Sequence, residues 1–190
     1  MKAKDENKEI AIIDAALQII FTEGLVGLRM EHVAKVAKVA TGTVYLYFKN
    51  KEELINHLFL RFKRESMKAL ELQIDSQVPF KINFMRVWQS YLQFSLENPA
   101  IATLLEQLHQ SNYLSAEARK EAEDLLNPIR NLLEEGKKQL LIKPIDNELL
   151  LSFLSGSINQ LARRLHEKQI NITNTHIEQA FEMAWDSVRL

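Results

Sequence analysis

The stretch Glu31-His-Val-Ala-Lys-Val-Ala-Lys-Val-Ala-Thr-Gly-Thr-Val-Tyr-Leu-Tyr-Phe-Lys-Asn-Lys51 decides how this chain is read. Its spacing predicts two short helices with a turn between them. The second helix carries Thr41, Thr43, Tyr45 and Tyr47 and runs on to Lys51, so hydroxyls and a cation crowd a few turns of backbone. Val44 and Phe48, four apart, give the same helix an apolar anchor. Lysines stand at 35, 38, 49 and 51, with no acid between the first and the last of them. Such a surface fits a helix-turn-helix that reads DNA, with the rest of the chain positioning and controlling it.

On the N-terminal side a first helix is expected from about Asp5 to Glu23. Ile10, Ile13, Leu17, Ile20 and Phe21 fall at steps of three and four and make one apolar stripe. Gly24 ends that helix, as suits a residue free to take positive φ. The next helix begins near Met30, with Val33, Ala34 and Ala37 facing inward. After the turn at Lys38–Ala40 the third helix runs from Thr41 to Phe48. Lys49-Asn50 breaks it, and Lys51 opens a fourth with Glu52 and Glu53 in its first turn, where acids suit the helix dipole.

The fourth helix is long, to about Ile74, and Asp75–Pro79 is the first clear break. Pro79 opens a fifth helix, to about Glu97, that is apolar nearly all round and so belongs inside a bundle. Asn98-Pro99 starts a sixth, to about Gln110. Ser115 caps a seventh, which runs through Pro128 towards Leu140 with a kink or a break at the proline. Asp146 is the N-cap of an eighth, to about Lys168. Its small residues Ser152, Ser155, Gly156 and Ser157 permit a close helix neighbour. Thr175-His-Ile-Glu178 has capping-box spacing and opens the last helix.

Composition narrows the class. The 190 residues hold 46% hydrophobic side chains, five glycines, four prolines and no cysteine. This is an all-α composition with a substantial core and no thiolate chemistry. The net charge of −1 confines any nucleic-acid affinity to a local patch. No apolar run reaching the roughly 18 residues of a membrane span is expected. A soluble, cytoplasmic protein without membrane association is therefore anticipated.

The run Ile13-Asp-Ala-Ala-Leu-Gln-Ile-Ile-Phe21, Gly24, Val33-Ala34, Gly42-Thr43-Val44-Tyr45-Leu46-Tyr47-Phe48 and Lys51-Glu52-Glu53-Leu54 resembles the TetR/AcrR family of transcriptional regulators. The resemblance covers roughly residues 8–60. It implies an N-terminal three-helix DNA-binding domain, residues 1–50. It also implies a C-terminal helical bundle, residues 51–190, for ligand binding and dimerisation, with about nine helices in all. A homodimer formed through the last two helices would hold operator DNA with the third helix and be released by a small molecule. This chain departs from the family pattern at Lys38, usually glycine, and at Ala40, usually serine or threonine. Arg29 and Met30 replace threonines common at the start of the second helix. A lysine in a left-handed turn costs about 1 kcal/mol or more, which points to a wider turn.

Two kinds of DNA contact separate. Arg29, Tyr47, Lys49 and Lys51 suit phosphate, giving affinity and salt dependence without sequence information. Thr41, Thr43 and Tyr45 suit base edges, and Gly42 lets the backbone come close. So few readers per subunit favour a dimer on a palindromic operator.

Phe62, Met67, Phe84, Trp88, Tyr91, His109, Tyr113 and Asn159 are candidates to line an effector cavity, with His109, Tyr113 and Asn159 as its polar contacts. Their apolar bias points to a hydrophobic or amphipathic effector. The candidate dimer contacts are Phe153, Gly156, Gln160, Ile177, Phe181 and Trp185. The five histidines show no metal-ligand spacing, and none has an acidic neighbour that suggests a triad. No metal, cofactor or catalysis is expected. The leading reading is a ligand-released repressor. The alternatives are an effector-independent regulator or activator, and an all-α lipid carrier.

Overall fold

The computed structural model describes residues 5–109, 111–167 and 173–190. The expected ends of the sixth helix at Gln110 and the eighth at Lys168 lie outside the described residues. Among the described residues there are ten helices: α1 Glu6–Gly27, α2 Met30–Val36, α3 Thr41–Tyr47, α4 Lys51–Glu71, α5 Phe80–Glu97, α6 Pro99–His109, α7 Ala116–Asp124, α8 Asn127–Lys138, α9 Asn147–His166 and α10 Asn174–Val188. They form two compact units, Met1–Lys63 with Ala100–Ala122, and Arg64–Pro99 with Glu123–Leu190.

In the N-terminal unit α1 is capped by Asp5, whose carboxylate accepts from the Asn7 N–H at 3.0 Å. Gly24 takes φ 71°, so the helix bends there and continues for one turn. The buried stripe is Ile12, Ile13, Ala15, Ala16, Ile19 and Ile20, whereas Ile10 and Phe21 are exposed. The expected stripe was thus rotated by about one residue, because it passed over Ile12 and Ile19. By length and composition α1 could cross a bilayer. That corrects the expectation that no segment reaches such a length, although here its apolar face is packed within this unit.

The elbow between α2 and α3 is not widened. Lys38 itself takes the left-handed conformation, φ 55°. The Val39 N–H donates to the Ala34 carbonyl at 3.0 Å and the Lys38 N–H to Lys35 at 3.3 Å. This is a Schellman motif with lysine where glycine is usual. As the sequence implies, neither Arg29 nor Ala40 supplies a side-chain cap to the helix it opens.

In the other unit α5 is the central helix, with its polar residues Arg86, Gln89, Gln93 and Glu97 on one narrow exposed stripe. Phe80, Phe84 and Trp88 on α5 meet Phe181 and Trp185 on α10, with ring centroids 5.6 to 6.2 Å apart. At these separations tilted and edge-on ring pairs are favourable. Three carbons of the Phe80 ring lie within 3 Å of where a Cβ on Gly136 would stand, so only glycine lets α8 approach so closely. The buried Asn83 pins the α4–α5 connection: it accepts from the Asp75 N–H at 3.0 Å and donates to the Asp75 carbonyl at 2.7 Å.

The expected seventh helix is broken into α7 and α8, with Pro128 in the first turn of α8, where a missing N–H costs little. Asp146 caps α9 as anticipated, accepting from Glu148 at 2.9 Å and Leu149 at 3.2 Å. The capping box of α10 uses Thr173 and His176 rather than Thr175 and Glu178, because the helix starts one residue before Thr175. Ile142 and Arg189 form an antiparallel bridge that fastens the chain end beside the α8–α9 connection.

Candidate nucleic-acid interface

Helix α3 is seven residues long and is held from one side. Val44, Tyr47 and Phe48 are buried at the spacing i, i+3, i+4. Phe48 meets the His57 ring edge-on at 5.1 Å. The opposite face presents Gly42, Tyr45, Leu46 and Lys49 to solvent, with Thr41 and Thr43 half-buried beside it. A Cβ at Gly42 would meet nothing within 4 Å, so in the free protein this glycine is not required by packing. Arg29, just before α2, is also exposed. The structure thus leaves Arg29, Thr41, Gly42, Thr43, Tyr45 and Lys49 at least partly open.

Two other candidates are engaged inside the unit. Tyr47 is turned inward, only 8% exposed. Its hydroxyl accepts from the Asp5 N–H at 2.8 Å and donates to the Asp5 carbonyl at 2.9 Å. The expectation that Tyr47 faces outward is corrected: residues 45 and 47 lie about 200° apart on a helix and cannot share a face. Lys51 donates from Nζ to the Leu25 carbonyl at 2.8 Å and stands 5.1 Å from the Tyr113 ring centroid. Its cation stabilises the end of α1. Lys49 contributes its main-chain N–H to Glu53 at 2.7 Å, and Asn50 accepts from the Glu53 N–H at 2.8 Å. The start of α4 is thereby fixed while the Lys49 side chain stays exposed. Sequence reading missed Leu46, which is 73% exposed and four residues beyond Gly42 on the same face. Helical periodicity from Val44 and Phe48 would have placed it outward.

The effector candidates are not gathered in one unit. Met67, Phe84, Trp88, Tyr91 and Asn159 belong to the α5-centred unit, and Phe62, His109 and Tyr113 to the other. His109 and Tyr113 are exposed rather than lining an interior. Phe84 and Trp88 are part of the aromatic core. The Tyr91 hydroxyl donates to Asn159 Oδ1 at 2.8 Å. The Trp88 indole N–H and the Ser66 hydroxyl are buried and have no hydrogen-bond partner among the described residues.

The dimer candidates divide as well. Phe181 and Trp185 are buried in the chain's own core, and Ile177 is half-buried against it. These two aromatics are therefore unavailable to a second subunit. Phe153, Gly156 and Gln160 share the exposed face of α9, and Met183 is exposed on α10. The small-residue row on α9 meets no close neighbour at Gly156, where a Cβ would contact nothing within 4 Å.

The helices α1 to α3, with the short α3 packed on one side and open on the other, define a helix-turn-helix protein carrying an α-helical second unit. Residues 12–58 match the family model for bacterial regulatory proteins of the tetR family. Residues 79–189 match the tetracyclin repressor-like C-terminal domain. The chain belongs to the TetR family of DNA-binding transcriptional regulators. It is 34% identical over 162 residues to the fatty acid metabolism regulator protein of Bacillus subtilis, covering 80% of each chain. It is 29% identical over 184 residues to an uncharacterized HTH-type transcriptional regulator of Haemophilus influenzae, covering 94% of each. A TetR family regulator from Marinobacter aquaeolei superposes with a TM-score of 0.90 at 27% identity, covering 100% of this chain and 99% of that one.

Proposed function

We propose that this regulator is a cytoplasmic homodimeric repressor, released from a palindromic operator by a hydrophobic or amphipathic effector. The observation that carries the reading is the open face of α3, where Tyr45, Leu46 and Lys49 are exposed while Val44 and Phe48 hold the helix from behind. Residues 1–50 serve DNA binding, and residues 51–190 serve effector binding and dimerisation. Arg29 and Lys49 reach phosphates. Thr41, Thr43 and Tyr45 read base edges, and Leu46 adds an apolar contact suited to thymine methyls. Tyr47 and Lys51 act by holding the frame. A second subunit packs on the exposed face of α9 and α10, using Phe153, Gly156, Gln160 and Met183.

The effector is placed in the α5-centred unit, beside Trp88. A buried indole N–H without a partner is costly, and an acceptor oxygen on the effector would satisfy it. The Bacillus subtilis relative is named for regulating fatty acid metabolism. Amphipathic acyl compounds are therefore the first class to test. To move occupancy from nearly full to nearly empty, the effector must prefer the non-binding conformer by roughly 5 kcal/mol.

The test begins with a duplex that the protein enriches from genomic DNA of its own source. The pair Thr43→Ala and Tyr45→Ala should abolish specific binding to it while the helical fold persists. Laurate, palmitate and oleate are then titrated into the wild-type complex. Operator binding retained by the double variant would overturn the assigned face, and a complex indifferent to every acyl compound would overturn the effector class.

A further inference from the structure

Residues 100–122 belong to the same compact unit as the DNA-reading helices, although the 36 residues that precede them, 64–99, belong to the other. The connection between α6 and α7 is fastened there by an unusual set of contacts. The Asn56 carboxamide on α4 donates from Nδ2 to the Tyr113 carbonyl at 3.0 Å and to the Glu52 carbonyl at 2.7 Å. Its Oδ1 accepts from the Ser115 N–H at 2.9 Å. Both N–H groups and the oxygen of one side chain are thus engaged, two of them on a distant segment. Ser115 then caps α7, its hydroxyl accepting from the Ala118 N–H at 3.1 Å. At the first of these attachment points the Tyr113 ring reaches back to the Lys51 ammonium, 5.1 Å from the ring centroid.

We propose that Asn56 and Tyr113 are positioning residues for operator binding, latching the α6–α7 connection onto α4 and so holding Lys51 on the end of α1. Lys51 is bonded to the Leu25 carbonyl, one turn before the buried Leu28 and the exposed Arg29 that open α2. The exit of α1 sets the entry of α2, and α2 and the Lys38 elbow set the angle of α3. A ring over the ammonium limits where it can go. A cation held against a ring and a carbonyl is an internal brace rather than a free phosphate contact. With the latch released, the head samples more conformers. Apparent affinity then falls in proportion to the fraction that stays competent.

The inference rests on DNA binding by this family and not on any effector. Its test uses the full-length protein and the duplex that the wild type enriches from a random-sequence pool. Asn56→Leu keeps the branched four-atom shape of the side chain and does not lower helix propensity, while removing all three bonds. It should weaken specific binding about tenfold, as expected if about one molecule in ten keeps a competent head. Tyr113→Ala should weaken binding several-fold, and Tyr113→Phe, which keeps the ring, should restore it to within about twofold. The dependence of affinity on salt should be unchanged in all three, because no phosphate contact is lost. Amide exchange of residues 25–28 in the free protein should quicken in Asn56→Leu and Tyr113→Ala. Folded Asn56→Leu and Tyr113→Ala proteins that bind like wild type, or that leave exchange at 25–28 unchanged, would overturn the proposal. A shallower salt slope would do the same, by making Lys51 or its neighbours direct phosphate ligands.

Discussion

Three polar side chains of the N-terminal unit tie distant segments by ending on main-chain groups: Tyr47 on Asp5, Lys51 on Leu25, and Asn56 on Tyr113 and Ser115. The α5-centred unit also has such ties, Lys143 on Ser187 and Asn83 on Asp75, but its centre is a cluster of rings from Phe80, Phe84, Trp88, Phe181 and Trp185. The difference follows from what each unit must leave open. In the N-terminal unit aliphatic side chains supply the core, with Ile12, Ile13, Leu54, Ile55 and Leu58 fully buried, while the short reading helix, open along one face, is anchored by Val44 and Phe48 and gains directional ties at its ends. A bundle with buried faces on several helices can rely on non-directional packing, which scales with area.

Breaking the aromatic centre should therefore produce the largest effect. Phe84 touches Phe80, Phe181 and Trp185. Phe84→Ala should cost about 3–5 kcal/mol of unfolding free energy, read from urea titrations followed by circular dichroism. A loss below about 1 kcal/mol would mean that the rings are not what holds this unit. Gly136→Ala comes next. The added methyl must displace the Phe80 ring or push α8 away, at about 1–3 kcal/mol. A neutral Gly136→Ala would show that the ring has room to turn aside.

The sequence made most of the helices legible, because their start and stop signals are strong: Asp5, Gly24, Pro79, Pro99 and Asp146 each stand at or next to a helix end, or at the bend in α1. The open face of α3 was legible from Val44 and Phe48. Tyr47 was misplaced because a hydroxyl beside lysines was read for its chemistry before its phase on the helix. Phe181 and Trp185 were assigned to a dimer for a related reason. Helical spacing shows that side chains share a face, but not whether that face meets the chain's own core or a second subunit. The latch at Asn56 was not legible, since its partners are 57 and 59 residues away and are main-chain groups.

Tyr47→Phe sharpens the contrast from the polar side. The ring stays buried, and only the hydroxyl that ties α3 to the start of α1 is lost. The Asp5 groups it served are exposed enough to take water in its place. Stability should fall by about 1 kcal/mol, within the range for net hydrogen-bond contributions. The salt dependence of DNA binding should be unchanged. A reduced salt slope in this variant would show that the hydroxyl leaves Asp5 to meet a phosphate in the complex.

Lys38→Gly is the smallest effect and runs in the opposite direction. The elbow has the full hydrogen-bond pattern of a Schellman turn, so a glycine there relieves the left-handed penalty without changing the geometry. The expected gain is about 1 kcal/mol at most, since a glycine also has more freedom to lose on folding. Leu140 offers an internal control in the other unit. It has φ 56° at the end of α8, where Leu141 donates to Gly136 at 2.9 Å and Leu140 to Lys137 at 3.0 Å, and its side chain is exposed. If backbone strain is all that matters, Lys38→Gly and Leu140→Gly should stabilise by similar amounts. A gain at Leu140 with none at Lys38 would mean that the lysine side chain contributes to the head. Lys38→Gly would then also weaken DNA binding and reduce its salt slope by about one phosphate contact.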